Sequence, residues 1–197
     1  DEDEGPTTPP THGAHYWNQA VRPERTVADA LSISPDAQRD WNKLGFGAAA
    51  AASHDGIFRG SAAAILLRSA PAAKTIVVDN TYQAMAFMKG SSKTPYPSSQ
   101  MGSIALIRQA LYDADWYGKA HAAASRGTLA TPPEVNLSLQ ALHAALVAKT
   151  PIVVEAMDEH DVPRWQAIAK EFNLSIIVKG SGNEYRRISG LSSTKPD

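Results

Sequence analysis

Glu155 and Lys179 are the pair whose types and positions are best suited to chemistry. Each ends a short run rich in β-branched residues, Pro151-Ile152-Val153-Val154-Glu155 and Leu174-Ser175-Ile176-Ile177-Val178-Lys179. In parallel α/β folds ligands gather at the carboxyl ends of the strands, because the loops there converge on one rim. An acid and an ammonium ending adjacent strands lie within one strand spacing. Each then keeps the other ionised, and the pair can orient a substrate or take part in proton transfer. The competing reading, commoner for such pairs, is a structural ion pair closing the rim. The same strand-end rule picks out His54 and Asp55, which follow the apolar run Phe46 to Ala52.

Gly180, Ser181 and Gly182 come directly after Lys179 and are expected to open a further helix. Free N–H groups at a helix start bind anions, so these three residues are candidates for cradling a carboxylate or phosphate. The dinucleotide pattern G-x-G-x-x-G fails, because Tyr185 stands at the third glycine position. A plain glycine-containing turn is the more frequent outcome. The other motifs are weaker. His12 and His15 precede the first clear element, and His121 and His143 sit in helical patterns. His160 belongs to Asp158-Glu159-His160-Asp161, whose carboxylates suit a helix N-terminus. No H-E-x-x-H, H-x-H or G-x-S-x-G is present, so neither a self-contained zinc site nor a serine nucleophile is evident.

The elements that must position these groups are legible from periodicity. Ser34, Pro35 and Asp36 start a helix over about 35–44, with Gly45 as its left-handed stop. Phe46 to Ala52 reads as a buried parallel strand, despite the helical propensity of alanine, because glycines flank its start and Ser53-His54-Asp55-Gly56 its end. Ala62 to Leu67, Thr75 to Asp79 and Ala84 to Met88 read as closely spaced strands in a local antiparallel excursion. Residues 89–100 form a Ser- and Pro-rich loop, and helices follow over about 102–124 and 136–149. The last third reads as strand, helix, strand: a right-handed βαβ crossover.

The 197 residues are 43% hydrophobic and 20% charged, which fits a folded globular chain. Nineteen Lys and Arg balance 20 Asp and Glu, leaving no basic field for a phosphate backbone, so nucleic acid is not an expected partner. Cysteine is absent, which excludes disulfides and thiolate chemistry. No apolar run approaches the roughly 20 residues that span a bilayer. Residues 1–15 hold an acidic run and three prolines and read as an extended arm reaching an anchor at Tyr16-Trp17. The opening Asp1-Glu2-Asp3-Glu4 suggests a processed chain or a piece of a longer one, and slightly favours an extracytoplasmic location.

Several separated motifs carry a family resemblance. His15-Tyr16-Trp17-Asn18-Gln19-Ala20-Val21-Arg22-Pro23-Glu24, Asp55-Gly56-Ile57-Phe58-Arg59-Gly60 and Lys89-Gly90-Ser91-Ser92-Lys93 resemble bacterial amidohydrolase-related proteins, relatives of imidazolonepropionase-type enzymes. Tyr96-Pro97-Ser98-Ser99-Gln100-Met101-Gly102-Ser103 and Lys179-Gly180-Ser181-Gly182-Asn183-Glu184-Tyr185 do so too. The resemblance implies an α/β fold, part of a (β/α)₈ TIM-type barrel over residues 16–197, with metal-dependent hydrolysis of C–N bonds in amides or cyclic amides. It also implies a divalent metal, zinc foremost, with Glu155 as a ligand or general base and Lys179 stabilising negative charge. The departures are that the H-x-H pair ending the first barrel strand and the Asp ending the last are missing. Glu155 and Lys179 or Gly180 stand where two further ligand histidines belong. The expected site is therefore incomplete, with metal held mainly outside this chain. A partial barrel leaves strand edges open, so further polypeptide, covalent or as another subunit, is an expected partner beside a small-molecule substrate. The alternative is a non-catalytic barrel module that binds a ligand or supports a catalytic neighbour. A nucleotide-binding α/β domain ranks last.

Overall fold

A computed structural model describes residues 14–187 apart from Ser69. Residues 1–13 of the expected arm lie outside the described residues. The anchor forms as expected: Tyr16 is buried, and its hydroxyl donates to Asp113 Oδ2 at 2.6 Å.

Seven strands run in chain order as β1 (Ala48–Ala51), β2 (Phe58–Ser61), β3 (Ala63–Leu66), β4 (Ile76–Val78), β5 (Gln83–Ala86), β6 (Ile152–Glu155) and β7 (Ile176–Lys179). The helices are α1 (Pro35–Lys43), the single turn α2 (Ala72–Thr75), α3 (Gln100–Ser125), α4 (Leu137–Val147) and α5 (Asp161–Phe172). Local chemistry sets their ends. Ser34, Ser99 and Asn136 each accept a hydrogen bond from a first-turn amide of α1, α3 and α4, and Asn173 closes α5 in the left-handed region at φ 52°.

The strands form two sheets, one of order β2-β5-β6-β7 and one of order β1-β3-β4. β5, β6 and β7 are parallel, with Glu155 directly opposite Lys179, whereas β2 runs antiparallel to β5. The expected βαβ crossover is therefore present. The second sheet is antiparallel throughout, but it is not the expected excursion: it takes the strands near 62–67 and 75–79, whereas the 84–88 segment supplies β5 of the larger sheet, parallel to β6, and β1 takes its place.

The expectation of a piece of a (β/α)₈ barrel is overturned. Such a barrel needs one continuous parallel sheet that closes on itself. Here the described strands divide between an open mixed sheet of four and a separate antiparallel sheet of three. β2 enters the larger sheet from the wrong direction for a barrel, and among the described residues its outer side carries isolated bridges from Val21 and Thr26 rather than a further strand. The chain is a small α/β fold with four helices longer than one turn among the described residues.

The Ala-rich run is also corrected. β1 is a strand, but an antiparallel one at a sheet edge, and it is mostly exposed. Four methyl groups offer little area to bury, so its neighbour β3 makes the local core, with Ala63, Ile65 and Leu67 packed against Val27, Leu31 and Ile33. Helix α1 likewise forms where expected but buries no residue.

The main core lies on one face of the four-stranded sheet. Phe58, Met85, Ile152 and Val154 point into it, against Leu106, Ile107 and Leu111 of α3, Leu142 of α4, and Trp165 and Ile168 of α5. Because side chains alternate along a strand, Arg59, Ala84, Val153, Glu155 and Lys179 take the opposite face. That face is not closed over by helices, and Ile177 there is 55% exposed. Of the charged groups there, Lys179 sits where water and ligands can reach it, Glu155 is partly exposed, and Arg59 is buried.

Candidate functional site

Glu155 sits between two cations. Lys179 Nζ lies 2.8 Å from its Oε1, and Arg59 Nη1 lies 2.8 Å from its Oε2. The sheet register produces this directly. Glu155 and Lys179 are partners across β6 and β7, and β5 separates β6 from β2, which carries Arg59. The Arg59 side chain is only 7% exposed, and its Nε donates to the Gly56 carbonyl at 3.1 Å, so the guanidinium is fixed before it meets the carboxylate. Lys179 is about half exposed and forms the open side of the cluster. The Glu155 backbone is held as well: Trp165 Nε1 donates to its carbonyl at 3.1 Å.

These interactions hold the Glu155 carboxyl below its ordinary value. The hydrogen bond from Lys179 contributes most, and Arg59 adds to it, while burial pulls the other way. A group kept ionised in this manner is a poor proton shuttle near neutral pH, and it serves better as the anchor that aims two cations. The cluster opens into a cavity of about 210 Å³ that is also lined by Ala50 of β1 and by Ala52, Ser53 and His54 from the segment after it. His54 thus shares one small space with Glu155 and Lys179, but not through the strand-end rule, because the strand before it is an antiparallel edge strand of the other sheet.

Asp55 does not join them. Its carboxylate accepts from the Ser91 amide at 2.6 Å and the Ser91 hydroxyl at 2.7 Å, with Arg25 3.7 Å away. The Ser91 amide is the largest reason that its carboxyl is held low. Asp55 therefore fastens the 89–94 loop. Gly90, at φ +61°, allows the approach: a Cβ there would lie 2.1 Å from Asp55 Oδ1. Replacing Asp55 with Ala is expected to cost about 1–2 kcal/mol, the price of leaving the Ser91 donors to water. Thermal melting and limited proteolysis within 89–94 check this, and an unchanged melting point with an unchanged cleavage rate would remove the fastening role.

The Gly180-Ser181-Gly182 turn does present amide donors, but the chain fills it itself. The Ser181 and Gly182 amides donate to the Glu184 carboxylate at 2.5 and 2.9 Å. Among the described residues the glycine turn is followed by the short 3-10 turn Glu184–Arg187. An incoming phosphate or carboxylate would have to displace Glu184. At the other candidate helix start, Asp161 is buried and accepts from the Met157 amide at 2.9 Å, while His160 remains exposed.

Arg59 escaped the strand-end reading because it lies within a strand. The available signal was an arginine flanked by Ile57, Phe58 and Gly60: a basic residue in a buried run needs an acidic partner.

The fold and site together define an α/β chain with a charge-lined cavity on the helix-free face of its larger sheet. Its structure is similar to that of an amidohydrolase from Thermotoga maritima MSB8, with a TM-score of 0.66 and 23% identity over 82% of this chain. The match covers 44% of that protein, so this chain spans less than half of its length. At this identity the likeness establishes the shared fold alone. No family model matches the sequence, and no curated protein matches it. Among the described residues, no helix is long and apolar enough to cross a membrane.

Proposed function

We propose that the chain contributes a substrate-orienting site to a hydrolase acting on C–N bonds of amides or cyclic amides. The observation that carries this reading is the Glu155 carboxylate fixed between Arg59 and Lys179 at the edge of an open cavity. The likeness in fold to a protein named as an amidohydrolase, together with the motifs of the sequence, supports the choice of reaction class. Lys179 is the group that touches substrate. Its ammonium, aimed by Glu155, stabilises the negative charge that develops on a carbonyl oxygen under attack. Glu155 and Arg59 are positioning residues, and His54, which lines the same cavity, bounds the substrate.

A divalent metal at Glu155 does not fit the donor set. Both carboxylate oxygens face cations at 2.8 Å, and among the described residues no three His, Asp or Glu side chains converge to hold an ion. Zinc sites take three or four such ligands. On this reading Glu155 and Lys179 act without a metal bound to them, and a zinc ion serving the reaction would be held by other residues.

The second reading is a module that binds a ligand or supports a neighbouring catalytic one, without chemistry of its own. The satisfied state of both Glu155 oxygens favours it. Hydrolysis of a panel of N-acyl amino acids and cyclic amides separates the two. On the first reading, Lys179→Met lowers kcat/KM roughly tenfold to a hundredfold, less than for a fully enclosed donor because Lys179 faces water. Turnover that Lys179→Met leaves unchanged removes Lys179 from the reaction. Complete absence of turnover, with thermal stabilisation by the same compounds, supports the binding module.

A further inference from the structure

Three separate segments meet on the flank of α3, away from Glu155. Asp113, Trp116 and Tyr117 are spaced i, i+3 and i+4, which puts them on one helical face. The His15-Tyr16-Trp17 segment and residues 133–136 flank that face. Together they line an open pocket of about 390 Å³, within the ordinary range for small-molecule sites, that shares no lining residue with the Glu155 cavity.

Its walls combine aromatic rings with negative charge. Trp17, Trp116 and Tyr117 provide ring surface, and Asp113 and Glu134 provide two carboxylates. Among the described residues, neither carboxylate has a basic side chain within 4.0 Å, although most other acids on this chain's surface are paired. Asp113 is held in place by the buried Tyr16 hydroxyl, which donates to its Oδ2. Burial and the Asp113 contact both push the Tyr16 phenol up, so Tyr16 keeps its proton and stays a donor to the Asp113 carboxylate. Asn136 is fixed too, its amide donating to the Tyr117 hydroxyl at 3.2 Å, which ties the loop to the ring wall. An aromatic face attracts a cation through its quadrupole, indole most strongly, and unpaired carboxylates add to that attraction. An anion would meet two like charges here, and a neutral apolar molecule would leave them unanswered.

We propose that this pocket binds a small organic ammonium ion, with the cationic head between the Trp17, Trp116 and Tyr117 rings and its charge answered by Asp113 and Glu134. Choline is a suitable probe, and 3,3-dimethyl-1-butanol is its neutral counterpart of the same shape. Titration calorimetry on the 197-residue chain is expected to show choline binding at least tenfold tighter than the alcohol. Trp116 is 60% exposed, so Trp116→Ala keeps the fold, which the melting point verifies, while weakening choline at least tenfold. The pair Asp113→Asn with Glu134→Gln is expected to bring choline down towards the alcohol, while the side-chain amide oxygen introduced by Asp113→Asn still accepts from Tyr16. Equal binding of choline and the alcohol, unchanged affinity in Trp116→Ala, or no choline binding up to millimolar concentration would each overturn the proposal.

Discussion

Trp165→Ala is expected to lower the free energy of unfolding by about 3–5 kcal/mol, a large part of what a domain of this size holds. The indole is 1% exposed and stacks on Phe87 with centroids 4.0 Å apart and planes 7° from parallel. Its removal opens a cavity where α5 meets the sheet, and neighbours as large as Ile168 and Phe87 cannot collapse fully into the gap. For a chain near 200 residues the melting point should fall by about 6–20 °C. Trp165→Phe separates packing from polarity. It keeps most of the ring stack but removes the Nε1 donor to the Glu155 carbonyl, and should cost only about 1–2 kcal/mol. Because that donor holds the backbone of the site acid, Trp165→Phe should also weaken any ligand bound beside Lys179. Equal stability losses in the two variants would mean that the stack contributes little.

The parts of this fold that could be read in the sequence are those where one local pattern has one physical outcome. Ile152 to Glu155 and Ile176 to Lys179 are runs too short for a helix and rich in β-branched residues, the Val162 to Phe172 stripe repeats at the helical period, and the parallel pairing of Glu155 with Lys179 follows from a crossover of that length. The run Phe46 to Ala52 was legible as strand but not as exposed edge. Alanine is compatible with a tightly packed interior and with a bare surface alike, and nothing local distinguishes them. The arrangement of strands into two sheets depends on contacts between distant segments, such as Val21 bridging Phe58, which no periodicity encodes. The site shows the same limit. The acid and the amine were visible from strand ends, and His54 from a loop, yet Arg59 needed the antiparallel placement of β2 to become a partner of Glu155. The glycine turn presented its donors as read, but the carboxylate that occupies them comes from Glu184, four residues beyond Gly180.

Arg59→Ala is expected to destabilise the chain by about 2–4 kcal/mol, below the range for a fully buried pair because Glu155 is one-fifth exposed and keeps Lys179. The loss has two sources: the Glu155 Oε2 atom loses its cation, and the Gly56 carbonyl loses the Nε donor in a buried turn. Arg59→Lys does not restore both, since an ammonium cannot span the carboxylate and the carbonyl as the planar fork does. The pH dependence identifies the electrostatic part. Glu155 titrates lower in the folded chain than its ordinary value of 4.5, so between those two points the unfolded chain binds more protons. Stabilisation by Glu155 is therefore complete above about pH 4.5 and is lost as the pH falls through the folded value. Subtracting the stability of Glu155→Gln from that of the natural chain between about pH 3 and 7 removes the parallel contributions of Asp55 and Glu184, whose carboxyls are also held low. The difference should be flat above about pH 4.5 and shrink below it. The same subtraction made in an Arg59→Ala background should show a shallower decline, because only Lys179 then holds the proton off. An identical decline with and without Arg59 would mean that the guanidinium positions the backbone of β2 without acting on the carboxylate, and would leave Lys179 as the group that keeps the site acid charged.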